Sequence, residues 1–323
     1  FYWFMTMYVT PYFALMSELG HTPEERLFLS TLISITWAVG TAIGTQVYTI
    51  KGIFEAGGMS ATGAFQATIA IFAAVGFLFM LLPILFIDEK RYSSGKGNDQ
   101  NILLSLKEAF SNRNFRVFTI SDLAYWVAMT FASTGLVYYV TVLLKQEEAV
   151  TSQLQMVMFL VSFAFYMPVN GIARKTGKKK VLNFGFILFM LVYTIVIFLG
   201  KLPLPLTVQS FGLVILLGIP MAIFGILPNA IVGDMAEADA VLTGKHRNAV
   251  YYGARTFMSK MGQMIGGLVF PSLLLLGSSS DNDIGIRMTG AVALIFVIAG
   301  FLFFLLYNEK EILGILKKES KEK

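Results

Sequence analysis

The chain has 323 residues, of which 56% are hydrophobic and only 14% are charged, and its net charge is +5. A soluble domain carries about 25% charged residues, so this composition excludes a protein whose whole surface faces water. The mean hydropathy of +0.68 instead fits a chain whose solvent is largely the lipid bilayer. The absence of cysteine excludes disulfides and thiolate metal sites.

Long apolar segments follow one another along the whole chain. A membrane-spanning helix needs about 20 mostly apolar residues, and these segments do not alternate with the period of two that a barrel strand requires. We therefore predict an all-α, polytopic membrane protein with nine transmembrane helices. The predicted spans are 1–19, 27–50, 63–88, 115–144, 152–173, 180–200, 206–232, 250–276 and 287–307. Because the chain opens inside the first span without an initiator methionine, we expect that it lacks preceding helices.

The longest polar stretch covers residues 89–114 and divides the spans into groups of three and six. It contains small and charged residues at 93–99 and then a short amphipathic segment. We predict three spans at 1–88, a cytoplasmic linker at 89–114, six spans at 115–308 and a cytoplasmic tail at 309–323.

Lysine and arginine in the loops predict the orientation of the spans. With the end of the first span inside, nineteen of these residues fall in inside segments and four in outside segments. Such an excess marks the cytoplasmic side, so we expect a multi-pass protein of the cytoplasmic membrane with a cytoplasmic C-terminus. The basic residues follow this topology, so the positive charge does not indicate nucleic-acid binding.

Two separated motifs resemble one family. The first predicted span ends in Pro-Tyr-Phe-Ala-Leu-Met-Ser-Glu-Leu at 11–19. The second motif comprises Gly-Asp-Met-Ala-Glu-Ala-Asp at 233–239, Thr-Gly-Lys-His-Arg at 243–247 and Phe-Met-Ser-Lys at 257–260. Both resemble signatures of the glycoside–pentoside–hexuronide:cation symporters, which are melibiose-carrier-like members of the major facilitator superfamily.

The resemblance implies a major facilitator fold in which this chain supplies family helices four to twelve. It further implies that a sugar or glycoside binds at the midplane between two six-helix halves and is carried with Na⁺ or H⁺ by alternating access. Two positions depart from the family pattern. Val9 stands where the melibiose carrier has an acidic residue, and the loop at 171–178 lacks the superfamily's acid. These departures leave the coupling ion and the solute open.

Lys260 and Asp122 are the leading candidates for substrate binding. Lys260 lies about 16 Å inside its predicted span, where a cation is costly unless it faces a cavity or a partner. Asp122 shares a helix face with Tyr125 and Trp126, and a carboxylate beside aromatic rings suits a sugar. The alternatives are a static ion pair for Lys260, and an acid near the head groups beside a packed ring for Asp122.

Other residues complete the predicted sites. The remaining substrate-binding candidates are Tyr12, Phe13 and Asn229, and the predicted gating or salt-bridge residues are Glu18, Arg26, Asp234, Glu237, Asp239, Arg247 and Arg255. The acids at 234–239 and the two arginines at 247 and 255 would form a cytoplasmic latch. The alternative is a solvated loop, in which such pairs contribute little.

The remaining patterns predict packing or exclude other functions. Gly40-x-x-x-Gly44 and Gly262-x-x-x-Gly266 predict close helix approach. The run at 171–178 lacks phosphate-loop spacing, and no metal, cofactor or catalytic-triad pattern occurs. We therefore expect a monomeric transporter and not an enzyme, with a solute, a coupling cation and the bilayer as its partners. The alternatives are a lipid or amphiphile carrier, and a receptor or scaffold that does not transport.

Overall fold

The computed structural model describes residues 36, 39–86, 102–244 and 248–322. Throughout this part of the chain the regular structure is helical, and no strand occurs in it. The chain divides into two compact units, residues 1–99 and 100–323. The predicted span at 1–19 lies outside the described residues, as do residues 27–35 and 37–38 of the span at 27–50.

Within the described residues, the first unit contains two packed helices, α1 (Val47–Ala56) and α2 (Ala61–Phe86). Residues 39–44 are also helical, and a turn at 45–46 separates them from α1. The side chains of α2 are almost all apolar and mostly exposed, with only Ala64 and Thr68 buried. An apolar helix of 26 residues with an exposed surface is suited to a lipid environment.

The second unit contains the remaining helices. They are α3 (Ile102–Ser111), α4 (Arg113–Tyr138, continued by a π-helical turn at Tyr139–Leu143), α5 (Glu148–Thr176), α6 (Lys178–Phe198), α7 (Leu206–Thr243), α8 (Asn248–Leu274), α9 (Ile284–Leu305) and α10 (Glu309–Glu322). Helix α3 forms the amphipathic segment expected in the predicted linker, and α10 forms most of the predicted tail.

Six helices in the described residues are long and apolar enough to cross a membrane: α2, α4 with its π-helical turn, α5, α6, α7 and α9. Each coincides with a predicted span. The predicted span at 250–276 is also a helix, α8, whose 27 residues reach about 40 Å. Helix α8 is not among these six apolar helices, because Arg255, Lys260 and Gln263 interrupt its apolar sequence.

Helix α7 corrects the prediction at its end. The sequence places a loop after residue 232, but the helix continues to Thr243 and ends at Gly244, which has a left-handed φ of +70°. With 38 residues α7 is about 57 Å long, which exceeds the hydrocarbon thickness of about 30 Å. Its last turns therefore extend beyond the membrane and carry Asp234, Glu237 and Asp239 on a helix instead of a loop.

The core of the second unit forms where α4, α6, α7 and α9 meet. Helix α4 packs against α8 and α9, and α7 packs against α5 and α6. Tyr125 of α4 stacks on Phe224 of α7 with ring centroids 4.1 Å apart. Phe186 and Phe189 of α6 meet the Phe224 ring edge-on. These aromatic contacts join three helices into one core.

Small residues allow α8 to approach α4 closely. A Cβ added at Gly262 would lie 2.6 Å from the backbone oxygen of Leu123, and one at Gly266 would lie 2.8 Å from Thr130 Cβ. This confirms the close approach predicted from Gly262-x-x-x-Gly266. At Gly40 and Gly44 no described atom lies within 4 Å of an added Cβ, so the close approach there stays a prediction.

Candidate functional site

A polar cluster lies in the second unit where α4, α7 and α8 meet, with Asp122 buried, Arg255 half-buried and Asn229 exposed. Asp122 is about 14 Å from the start of α4, and Arg255 is about 10 Å from the start of α8. Asn229 of α7 follows Pro228. Three polar side chains, one from each of these helices, therefore meet at this point.

Arg255 binds both of its polar neighbours. Its Nε lies 3.1 Å from Asp122 Oδ2 and its Nη2 lies 3.3 Å from Asp122 Oδ1, while its Nη1 donates to Asn229 Oδ1. The Asp122 side chain is 1% exposed and the Arg255 side chain 12%. A two-pronged guanidinium–carboxylate contact is the strongest form of this pair, and burial makes each partner dependent on the other.

This pairing differs from the latch predicted for Arg255. The sequence groups Arg255 with the acids at 234–239, but in the structure its ionic partner is Asp122. Asp234 instead bonds with the ammonium of Lys178 at 2.5 Å. The continuation of α7 to Thr243 brings Asp234 to Lys178, the first residue of α6.

The remaining residues of the predicted latch are Glu237, Asp239 and Arg247. Glu237 is exposed on α7 and Asp239 is half-buried there. Arg247 lies outside the described residues. The predicted residues Tyr12, Phe13, Glu18 and Arg26 also lie outside them, so their roles stay predictions.

Lys260 lies on an exposed face of α8. Its ammonium donates a hydrogen bond to Gln263 Oε1 at 3.3 Å, one turn further along the helix. Phe257, Met264 and Leu268 share this side of α8 and are well exposed. The face therefore presents a cation and an amide within an otherwise apolar surface.

Tyr125 and Asp122 do not form the open sugar platform that the sequence predicts. Tyr125 is only 5% exposed, and its ring is covered by the stacked Phe224. Asp122 is closed off by Arg255. Of the three residues, Trp126 alone is half-buried, and its ring meets that of Tyr125 edge-on at 5.3 Å. Tyr125 and Asp122 are covered in this way because neighbouring helices surround α4 on most sides.

A second polar network, which the sequence analysis missed, joins the starts of α6 and α10. Glu309 accepts from the backbone amides of Lys178 at 2.6 Å and Lys179 at 3.2 Å. Asn114 links α4 to the same region, because its Oδ1 accepts from the Asn308 amide at 2.9 Å. The sequence shows only that the 171–178 loop lacks an acid; Glu309, 131 residues away from Lys178, supplies one.

The described residues contain no group of three or more histidine, aspartate or glutamate side chains placed to hold a metal ion.

The fold and the buried ion pair define a polytopic α-helical membrane protein with charged groups inside its helical bundle. A sequence model of the family described as MFS/sugar transport protein matches residues 1–309. The chain belongs to this family, so its fold is the major facilitator fold.

The chain is also similar to an uncharacterized symporter, sll1374, of Synechocystis sp. The two are 24% identical over 185 residues, which are 55% of this chain and 32% of the relative. The alignment therefore spans about a third of the relative's length. The similarity supports a transporter and agrees with the family predicted from the two sequence motifs.

Proposed function

We propose that this protein is a secondary active transporter that carries a sugar or glycoside together with Na⁺ or H⁺ across the cytoplasmic membrane. Membership of a sugar-transport family and similarity to a symporter support this proposal. The observation that carries it is the Lys260–Gln263 pair on an exposed face of a membrane helix. Ionisable side chains at membrane depth are costly, and they mark the path of a solute or an ion.

The chemistry of this pair suits a hydroxylated solute. An ammonium offers three donors, and an amide offers two donors and an acceptor. Together they match the alternating donors and acceptors of sugar hydroxyls. The neighbouring Phe257 and Met264 provide apolar surface for the C–H face of a sugar ring.

The buried Asp122–Arg255 pair would hold α4, α7 and α8 together during the transport cycle. Breaking such a pair without a substitute leaves a charge inside the bundle, so these helices would move as one body. Alternating access would then use rigid groups of helices around a solute site.

The orientation follows from the basic helix ends. Arg113, Lys178 and Lys310 lie near the starts of α4, α6 and α10, and the contacts of Glu309 and Asn114 bring these starts together. We propose that this end of the second unit, with the C-terminus, faces the cytoplasm.

A second candidate is a lipid or amphiphile carrier. Leu268, Met264 and Phe257 make the face around Lys260 largely apolar, which would suit a hydrocarbon tail beside a polar head group. The single Lys260–Gln263 pair would then hold the head group.

Counterflow tests these proposals. The full-length protein is reconstituted into proteoliposomes that are preloaded with unlabelled solute. We expect saturable exchange of a labelled sugar, loss of exchange in Lys260→Ala, and unchanged exchange in Lys310→Ala, since Lys310 is exposed on α10. Exchange of a lysophospholipid without sugar exchange would favour the amphiphile carrier. No saturable exchange of either solute by the folded protein would favour a receptor or scaffold and refute the proposal.

A further inference from the structure

A cavity of about 270 Å³ opens at the end of the second unit where α4 and α6 begin and α9 ends. Its lining includes Arg113, Asn114, Lys179, Leu305, Leu306 and Glu311. Pockets for whole small molecules hold about 300–1,000 Å³, so this cavity is sized for a head group or a single polar moiety. It is separate from the buried ion pair and from Lys260.

The cavity lies at the level of the lipid head groups. Arg113 is the first residue of one candidate span, Lys179 is the second residue of another, and Leu305 is the last residue of a third. Because the ends of three spans meet there, the cavity lies at the boundary between hydrocarbon and water.

Lys179 is held by neutral groups. Its ammonium donates to the backbone oxygens of Leu305 at 2.8 Å and Tyr307 at 2.5 Å. An ammonium has three N–H donors, so one remains for a ligand. These carbonyls fix the position of the ammonium without neutralising its charge.

The cavity carries more positive than negative charge. Arg113 is exposed at its rim and makes no ion pair within the described residues. Glu311 is the acid of the lining, and its Oε2 accepts from Asn114 Nδ2 at 3.2 Å. Two cations against one acid leave a net positive charge.

An apolar surface continues from the charged rim. Leu305 is 43% exposed and Leu306 52%, and both belong to the end of α9. The combination of a basic pocket at a span end and adjoining exposed leucines fits an amphiphile with a phosphate and acyl chains. Basic pockets between membrane helices on the cytoplasmic side are known to receive anionic lipid head groups.

We propose that this cavity binds an anionic diacyl phospholipid, with its phosphate at Arg113 and Lys179 and an acyl chain along Leu305 and Leu306. The site is independent of the transported solute and requires only that the protein lies in a membrane. Bound there, the lipid would bridge α4, α6 and α9.

Native mass spectrometry of the delipidated protein tests the proposal, with phosphatidylglycerol and phosphatidylcholine as probes. A basic residue near a membrane surface contributes about 1 kcal/mol to binding an anionic lipid, which is about fivefold in affinity. We expect Arg113→Gln to weaken binding of the first phosphatidylglycerol by about fivefold. The matched control Arg116→Gln, exposed on the same helix but outside the cavity, should leave this binding unchanged.

Glu311→Gln provides a second test, because removal of the opposing acid should strengthen phosphatidylglycerol binding. A folding defect would not produce this gain. The proposal is refuted if Arg113→Gln and Arg116→Gln bind phosphatidylglycerol equally, or if phosphatidylcholine binds as tightly. Displacement of the lipid by millimolar inorganic phosphate would show a free-phosphate site instead and would also overturn the proposal.

Discussion

The buried Asp122–Arg255 pair makes a sharp prediction about stability. Asp122→Asn leaves the Arg255 guanidinium without its carboxylate in a position where its side chain is only 12% exposed. Removal of one partner of a buried ion pair costs about 3–5 kcal/mol, because an uncompensated charge remains. Arg255→Gln should cost as much or more, since it also removes the bond to Asn229.

The double variant Asp122→Asn/Arg255→Gln measures how much of the stabilisation comes from the interaction between the two side chains. With both charges gone no ion is left buried, so the double variant should be more stable than the two single effects together predict. We expect a coupling energy of about 2–3 kcal/mol between the two positions. Chemical unfolding of the purified protein in mild detergent would measure the free energies of unfolding.

A second aspartate–arginine pair in the same unit provides the control. Asp283 and Arg287 lie 2.7 Å apart at the start of α9, with side chains 28% and 14% exposed. Asp283→Asn should change the free energy of unfolding by only about 0.2–1 kcal/mol, because Asp283 is partly exposed and Arg287 keeps its hydrogen bonds to the backbone oxygens of Ile197 and Leu199. Additive effects at Asp122 and Arg255, or single losses no larger than this control, would contradict the buried-pair account.

Three further predictions concern packing, capping and pH. Gly262→Ala should destabilise the protein by about 1–3 kcal/mol, because the added Cβ would lie 2.6 Å from the α4 backbone. Gly267→Ala, whose added Cβ would have nothing within 4 Å, should not destabilise it. Thermal unfolding of the two variants compares these effects. Glu309→Ala should cost about 0.5–2 kcal/mol by freeing the two backbone amides at the start of α6, and Lys310→Ala should stay within about 0.5 kcal/mol. Hydrogen bonds from the neighbouring arginine hold the pKa of Asp283 below its usual 3.8, so the stability that this pair contributes is present above pH 3.8 and is lost as the pH falls through the folded-state pKa. Unfolding measured against pH should show that loss in the native protein and a flatter profile in Asp283→Asn.

The membrane-spanning helices could be predicted because bilayer thickness fixes their length and their apolar character. Six predicted spans match long apolar helices within the described residues, and the close approach predicted from Gly262-x-x-x-Gly266 occurs between α8 and α4. The polar end of α7 could not be predicted in the same way. The acids at 234–239 favoured a loop in the sequence analysis, whereas the helix continues to Thr243 outside the membrane.

Long-range partners could not be predicted from one sequence. Arg255 lies 133 residues from Asp122, and Glu309 lies 131 from Lys178. Each side chain has several opposite charges within reach along the sequence, and only helix packing decides between them. The sequence therefore grouped Arg255 with the acids at 234–239, whereas in the structure its ionic partner is Asp122.

The most direct test of the central claim is solute accumulation driven by an ion gradient in proteoliposomes. The full-length protein should concentrate a labelled sugar above its external level when an inward Na⁺ or H⁺ gradient is imposed. Dissipation of the gradient should release the sugar, and Lys260→Ala should abolish accumulation while the protein remains folded. Equal internal and external sugar under every gradient, or full accumulation by Lys260→Ala, would contradict this account.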